Sequence, residues 1–69
     1  MRKYLVIYEK ARENYSAYSP DIPGCIATGK TRKEAEKNIK EAIKFHICGL
    51  TEDGLPLPEP SSSTEYVEL

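Results

Sequence analysis

The chain has 69 residues, with ten Lys+Arg against eleven Asp+Glu, a net charge of −1, one His and two Cys. A domain this small buries only about 60% of its unfolded surface, so its core is thin. The charge balance argues against a dedicated nucleic-acid binder, and the absence of any apolar run near the ~20 residues of a membrane span argues against a transmembrane helix.

Cys25 and Cys48 make no C-x-x-C pair and His46 is the single histidine, too few ligands for an ordinary zinc site. MRKYLVIYEKAR turns polar too early for a signal peptide, so one cytoplasmic domain over residues 1–69 with reduced thiols is expected. Neither a metal nor a cofactor is implied. Charge is unevenly spread, since residues 1–46 hold ten basic and six acidic groups and residues 47–69 hold none and five. An acidic end of this kind either solubilises or complements a basic partner.

KYLVIYEK (3–10) is rich in β-branched and aromatic residues and reads as a strand. Leu5 and Ile7 fall on one face, Tyr4, Val6 and Tyr8 on the other, so both sides need cover. Residues 10–14 form a turn. YSAYS (15–19) is a second strand ended by Pro20, and CIATGK (25–30) a third ending near Gly29. Their closeness predicts an antiparallel meander.

A long helix follows. Thr31 is a good N-cap and Glu34 completes a capping box. Ala35, Ile39, Ala42, Ile43, His46 and Leu50 make one apolar stripe, and Lys30, Arg32, Lys33, Lys37, Lys40 and Lys44 line a basic outer surface. Asp53-Gly54 is the favoured stop. LPLPEPSSS (55–63) is extended and stiff through its alternate prolines. TEYVEL (64–69) reads as a last strand, parallel to the first through a right-handed crossover. The fold expected is α+β, β-β-β-α-β, with one helix on one sheet face. The uncovered face, assigned Tyr4, Val6, Tyr8 and Tyr18, invites self-association, most simply as a homodimer.

Three chemistries compete for these residues. A Cys25–His46 dyad would need both groups at one interface, whereas a lone His on an apolar stripe is ordinarily packed. The element order resembles the first part of a ribonuclease H fold, whose nucleases hold metal with an acid in the first strand. Here Tyr4 to Tyr8 carry no carboxylate before Glu9, and Glu34 and Glu36 suit the helix start. The basic helix surface has neither a helix-turn-helix nor a ribbon motif beside it, so direct DNA binding is not expected.

One family fits the whole pattern. YSAYSPDIPGCIATGKTRKEAEKNIKEAI, with His46, Leu50, EDG at 52–54 and P-x-P-E-P at 56–60, resembles the HicB antitoxins. The motif residues are Pro20, Pro23, Gly24, Cys25, Gly29, Thr31 and Glu34, in structural roles. The resemblance implies a partial, catalytically empty ribonuclease-H-like fold that binds a small basic HicA toxin, an mRNA-cleaving ribonuclease, and covers its active site. It also implies dimers or higher assemblies. Many such antitoxins carry a C-terminal DNA-binding domain, and this sequence ends at Leu69, after the expected fourth strand. The toxin contacts expected are Asp21, Glu52, Asp53 and Glu59, acids facing a basic partner. The alternatives are an RNA-binding or residual RNA-processing module, and a homo-oligomeric domain without a toxin partner.

Overall fold

The computed structural model describes residues 2–69. Its elements are β1 (Ile7–Lys10), β2 (Tyr15–Tyr18), β3 (Ile26–Gly29) and α1 (Arg32–Glu52). The strands form an antiparallel sheet in the order β1-β2-β3, as the meander predicts. The α+β architecture expected from the sequence is present, with three strands and one long helix.

β1 is shorter than the apolar run that suggested it. Ile7 pairs with Tyr18, and β2 stops there because Ser19-Pro20 turns the chain away. Residues 4–6 therefore have no ladder partner. Between β2 and β3 lie two consecutive turns. Ile22 N–H donates to the Ser19 carbonyl at 3.1 Å, with Pro20 in the second turn position. Cys25 N–H then donates to the Ile22 carbonyl at 3.2 Å, with Pro23 second and Gly24 third. Gly24 has φ +77°, the conformation a type II turn demands at that position.

Small side chains on the sheet admit the helix. Tyr8, Ala17 and Ala27 share one cross-strand row, and Lys10, Tyr15 and Gly29 the next row on the same face. Ala17, Ile22, Cys25, Ala35 and Ile39 form the buried core. Full burial of an isoleucine contributes about 1.5–3 kcal/mol, and Ile22 and Ile39 are the largest fully buried side chains among the described residues. At Gly29 an added Cβ would collide with the Ala35 backbone nitrogen and lie 2.8 Å from the Glu34 carbonyl carbon. The helix therefore begins almost touching β3, and it packs chiefly over β3 and β2. Asn38 Nδ2 ties it to the Thr28 carbonyl at 2.7 Å.

Both helix ends follow their sequence signals. Glu34 N–H donates to Thr31 Oγ1 at 3.1 Å, while the Glu34 carboxylate accepts from the Lys30 N–H, also at 3.1 Å. At the other end, Leu55 N–H reaches the Leu50 carbonyl and Gly54 N–H the Thr51 carbonyl, with Gly54 at φ +67°. That is a Schellman cap. One buried hydroxyl, Ser19 Oγ, has no hydrogen-bond partner among the described residues.

Two expectations need correction. First, the assigned open face is split. Tyr4, Val6 and Tyr8 pack against the helix-side core, and only Tyr18 lies on the outer face, in a row with Ile7 and Ile26. The reason is register: Tyr8 opposes Ala17, which faces the helix, so its neighbour Ile7 must face away. Second, residues 64–69 are not a strand in the chain by itself. Tyr66, Val67 and Leu69 are exposed. The segment is pinned upstream, at Ser61 and Ser62, to a group beyond the sheet end, which leaves it beside β1 without pairing.

Candidate functional site

The acids expected to meet a partner fall into two groups. Asp21 sits in the β2–β3 turn, where Pro20 fixes the chain just before it. Its carboxylate receives four hydrogen bonds. Oδ2 accepts from the N–H groups of Ser61 and Ser62 at 3.2 and 3.1 Å. Oδ1 accepts from their hydroxyls at 3.3 and 2.8 Å. The Ser62 hydroxyl and then the Ser62 N–H are the main causes that hold the Asp21 carboxyl below its ordinary value. Glu59 lies two residues before this clasp and pairs with Arg2 Nη1 at 3.3 Å. Tyr4 Oη donates to the Pro58 carbonyl at 2.7 Å. The proline run is thus strapped to the N-terminal segment at Pro58–Glu59 and to the turn at Ser61–Ser62.

Glu52 and Asp53 make the second group, at the helix C-terminus. Both are exposed. Asp53 caps the helix through its N–H to the Gly49 carbonyl at 3.1 Å. Glu52 accepts a weak contact from Cys48 Sγ at 3.9 Å. The last helical turn contains no basic residue. Two carboxylates therefore stand at the negative end of the helix dipole with no ion-pair partner among the described residues, an arrangement that favours an external cation. Among the described residues, no hydrogen bond or ion pair links Asp21, Glu52, Asp53 and Glu59 to one another.

The residues considered for chemistry have structural surroundings. Cys25 belongs to the apolar core, and burial pushes its thiol up, the reverse of what a nucleophile needs. Glu36 bridges Arg32 at 3.0 Å and Lys40 at 3.3 Å, and these cations, Lys40 first, lower its carboxyl. Among the described residues, no three His, Cys, Asp or Glu side chains gather as a metal site. No described helix is long and apolar enough to cross a membrane.

A slot of about 520 Å³ lies along the outer edge of β1, a feature the sequence did not announce. Leu5, Val6, Ile7 and Tyr8 form one wall and Thr64, Glu65 and Tyr66 the other. Arg32 stacks on the Tyr8 ring at 4.0 Å and closes one side. The two walls of the slot lie more than fifty positions apart in the chain, so no local pattern could have revealed it.

The chain is similar to known proteins in sequence and in fold. The sequence pattern of HicB-like antitoxins of bacterial toxin–antitoxin systems covers residues 4–68. The chain belongs to the HicB-like antitoxin family. Within that family setting, it is 42% identical over 64 residues to an uncharacterized 14.9 kDa protein from the rep-hol intergenic region of Haemophilus phage HP1. That match takes in 93% of this chain and 48% of the phage protein, so the chain spans about half of that relative's length. It is 41% identical over 61 residues to a UPF0150 protein of Thermoplasma acidophilum, covering 87% of this chain and 88% of that one. Its fold resembles a chain in a solved HicA3 and HicB3 toxin-antitoxin complex, with a TM-score of 0.70 and 38% identity over 87% of this HicB-like chain and 70% of the other.

Proposed function

We propose that this chain is an antitoxin that binds a HicA-type mRNA-cleaving ribonuclease and inhibits it by occluding its active site, with no catalysis of its own. The observation that carries the reading is its likeness to a chain of a HicA3–HicB3 complex, at a TM-score of 0.70 and 38% identity. The family match over residues 4–68 supports it. The partner is a basic RNA-binding protein, and the place of action is the cytoplasm, where messenger RNA is found. The fourth strand and the wider ribonuclease-H-like arrangement belong to this reading as the assembled form of the domain.

Glu52 and Asp53 are the contact residues with charge free to offer. Asp21 and Glu59 complete the acidic surface but must share their carboxylates with Ser61, Ser62 and Arg2. Purified full chain should bind a HicA-type ribonuclease from the same genome and stop its RNA cleavage. Active ribonuclease in the presence of saturating chain sinks the proposal. Charge reversal of Glu52 and Asp53 to Lys should cost about 1–2 kcal/mol at low salt, roughly a 5- to 30-fold loss of affinity that shrinks as salt rises. Unchanged binding by titration calorimetry would remove these two residues from the interface.

A further inference from the structure

The net charge of −1 averages two unlike ends. Antiparallel pairing sets Lys10, Tyr15 and Gly29 in one row at one end of the sheet, so the β1–β2 turn and the start of α1 meet there. Lys10, Arg12, Lys30 and Lys33 belong to that end, together with the positive end of the helix dipole. Glu52 and Asp53 stand at the other end of a 21-residue helix. At 1.5 Å per residue the two ends are about 30 Å apart.

The basic end has two features of its own. One is an open hollow of about 600 Å³ between the β1–β2 turn and Lys30. Arg12, Asn14 and Lys30 line it against a single carboxylate, that of Glu13. The other is a row on the helix. Lys33, Lys37, Lys40 and Lys44 recur at i, i+4, i+7 and i+11, so they share one exposed face. Successive members are about 4.5–6 Å apart along the axis. Lys40 is bridged to Glu36. Among the described residues, Arg12, Lys30, Lys33, Lys37 and Lys44 take no part in an ion pair. The pairs Lys33–Lys37 and Lys40–Lys44 set like charges at i,i+4, which destabilises the free helix and is relieved by a polyanion.

The row consists of lysines alone, point charges suited to phosphate rather than planar forks suited to base edges. Arg32 is engaged elsewhere, stacked on Tyr8 and bridged to Glu36. The hollow lies at the end of the molecule and the row along its side, so a ligand touching both must bend within a few nucleotides. Duplex DNA is stiff over about 50 nm, whereas a single strand bends freely. In cells the abundant single strand is RNA.

We propose that the helix-start end of this chain binds single-stranded RNA through its phosphate backbone, without sequence preference. The strand passes from the hollow at Arg12 and Lys30 onto the lysine row, where Lys33, Lys37 and Lys44 neutralise phosphates. The acidic end stays free, so one chain can hold an RNA and a basic protein together. This binding goes beyond ribonuclease inhibition and needs no toxin.

Fluorescence anisotropy of a short labelled oligouridine with the purified full chain tests it. Log K should fall linearly with log salt, with a slope of about −2 to −4, which is roughly 0.7 per phosphate for three to five contacts. Lys37→Glu should weaken binding several-fold and bring the slope about one unit nearer zero. Lys3→Glu changes the net charge equally at the far end of the first strand and should leave the slope unchanged. The triple variant Lys33→Gln, Lys37→Gln, Lys44→Gln should lose most of the affinity and keep the helical circular dichroism signal. Absence of binding at low salt, an equal loss in Lys3→Glu and Lys37→Glu, or tighter binding of a duplex DNA of the same length would each overturn the proposal. Because the chain is tested alone, none of these results bears on inhibition of the ribonuclease.

Discussion

Asp21 illustrates how one carboxylate can organise a distant segment. Its four acceptor contacts all come from two serines forty residues away in sequence. Because these donors favour the ionised form, the folded-state carboxyl holds its proton less tightly than the ordinary value of 3.8. The clasp is therefore complete above that range and is lost as pH falls through the lower folded value. Amide shifts of Ser61 and Ser62, followed by NMR, should titrate together with a midpoint below 3.8 and lose that titration in Asp21→Asn. A midpoint at the ordinary carboxylate value would mean that the clasp does not form in solution. From the sequence, Asp21 is expected to face a partner. The role found, anchoring the Ser61–Ser62 pair, depends on a return of the chain that no local spacing encodes. Pro23, Gly24 and Cys25 were legible only as residues with structural roles, because a Pro-Gly turn leading into a strand is a local matter.

At the scale of elements, the helix was read almost completely, since its stripe, its Thr31 cap and its Gly54 stop are all carried by consecutive residues. The strands were read too long, because an apolar run sets where a strand can go while pairing sets where it stops. The split of Tyr4, Val6 and Tyr8 from Tyr18 is a register effect, and register depends on where Pro20 ends β2. Two glycines test this packing in opposite directions. Gly29 lies against the first helical turn, and Gly29→Ala forces an overlap that should cost about 1–3 kcal/mol. Gly49 lies within the helix, and a Cβ there meets nothing within 4 Å, so Gly49→Ala should stabilise by about 0.5–1 kcal/mol. Thermal melts followed at 222 nm would read both. A Gly29→Ala melting temperature at or above that of the parent would contradict the close approach of α1 to β3.

The whole molecule is a thin two-layer α+β fold with its strength at one place. Ala17, Ala35 and Ile39 are fully buried where β2 crosses beneath the helix. Local opening costs least where few apolar contacts must break. Hydrogen exchange should therefore be slowest for Ala17 and for residues 35–39, and faster by orders of magnitude for residues 12–14 in the first turn. Comparable rates in the two regions would show that the core does not form a cooperative unit. Family membership was legible because its motifs run the length of the chain. The β1-edge slot was not, since it arises from strands and straps that meet only after folding.

The strap at Pro58–Glu59 and the clasp at Ser61–Ser62 have a consequence for how the gene can vary. LPLPEP leaves the helix cap at Gly54 and must deliver Ser61 to Asp21 after meeting Tyr4 on the way. Alternate prolines fix φ at half of these positions, so the segment behaves as a rod of about 3.1 Å per residue rather than a spring. One inserted or deleted residue displaces the serines by about the length of the hydrogen bonds they make. Spacing between the helix and the Ser61–Ser62 pair is therefore under tighter constraint than the identity of the residues that span it, and this connection works as a measured strut.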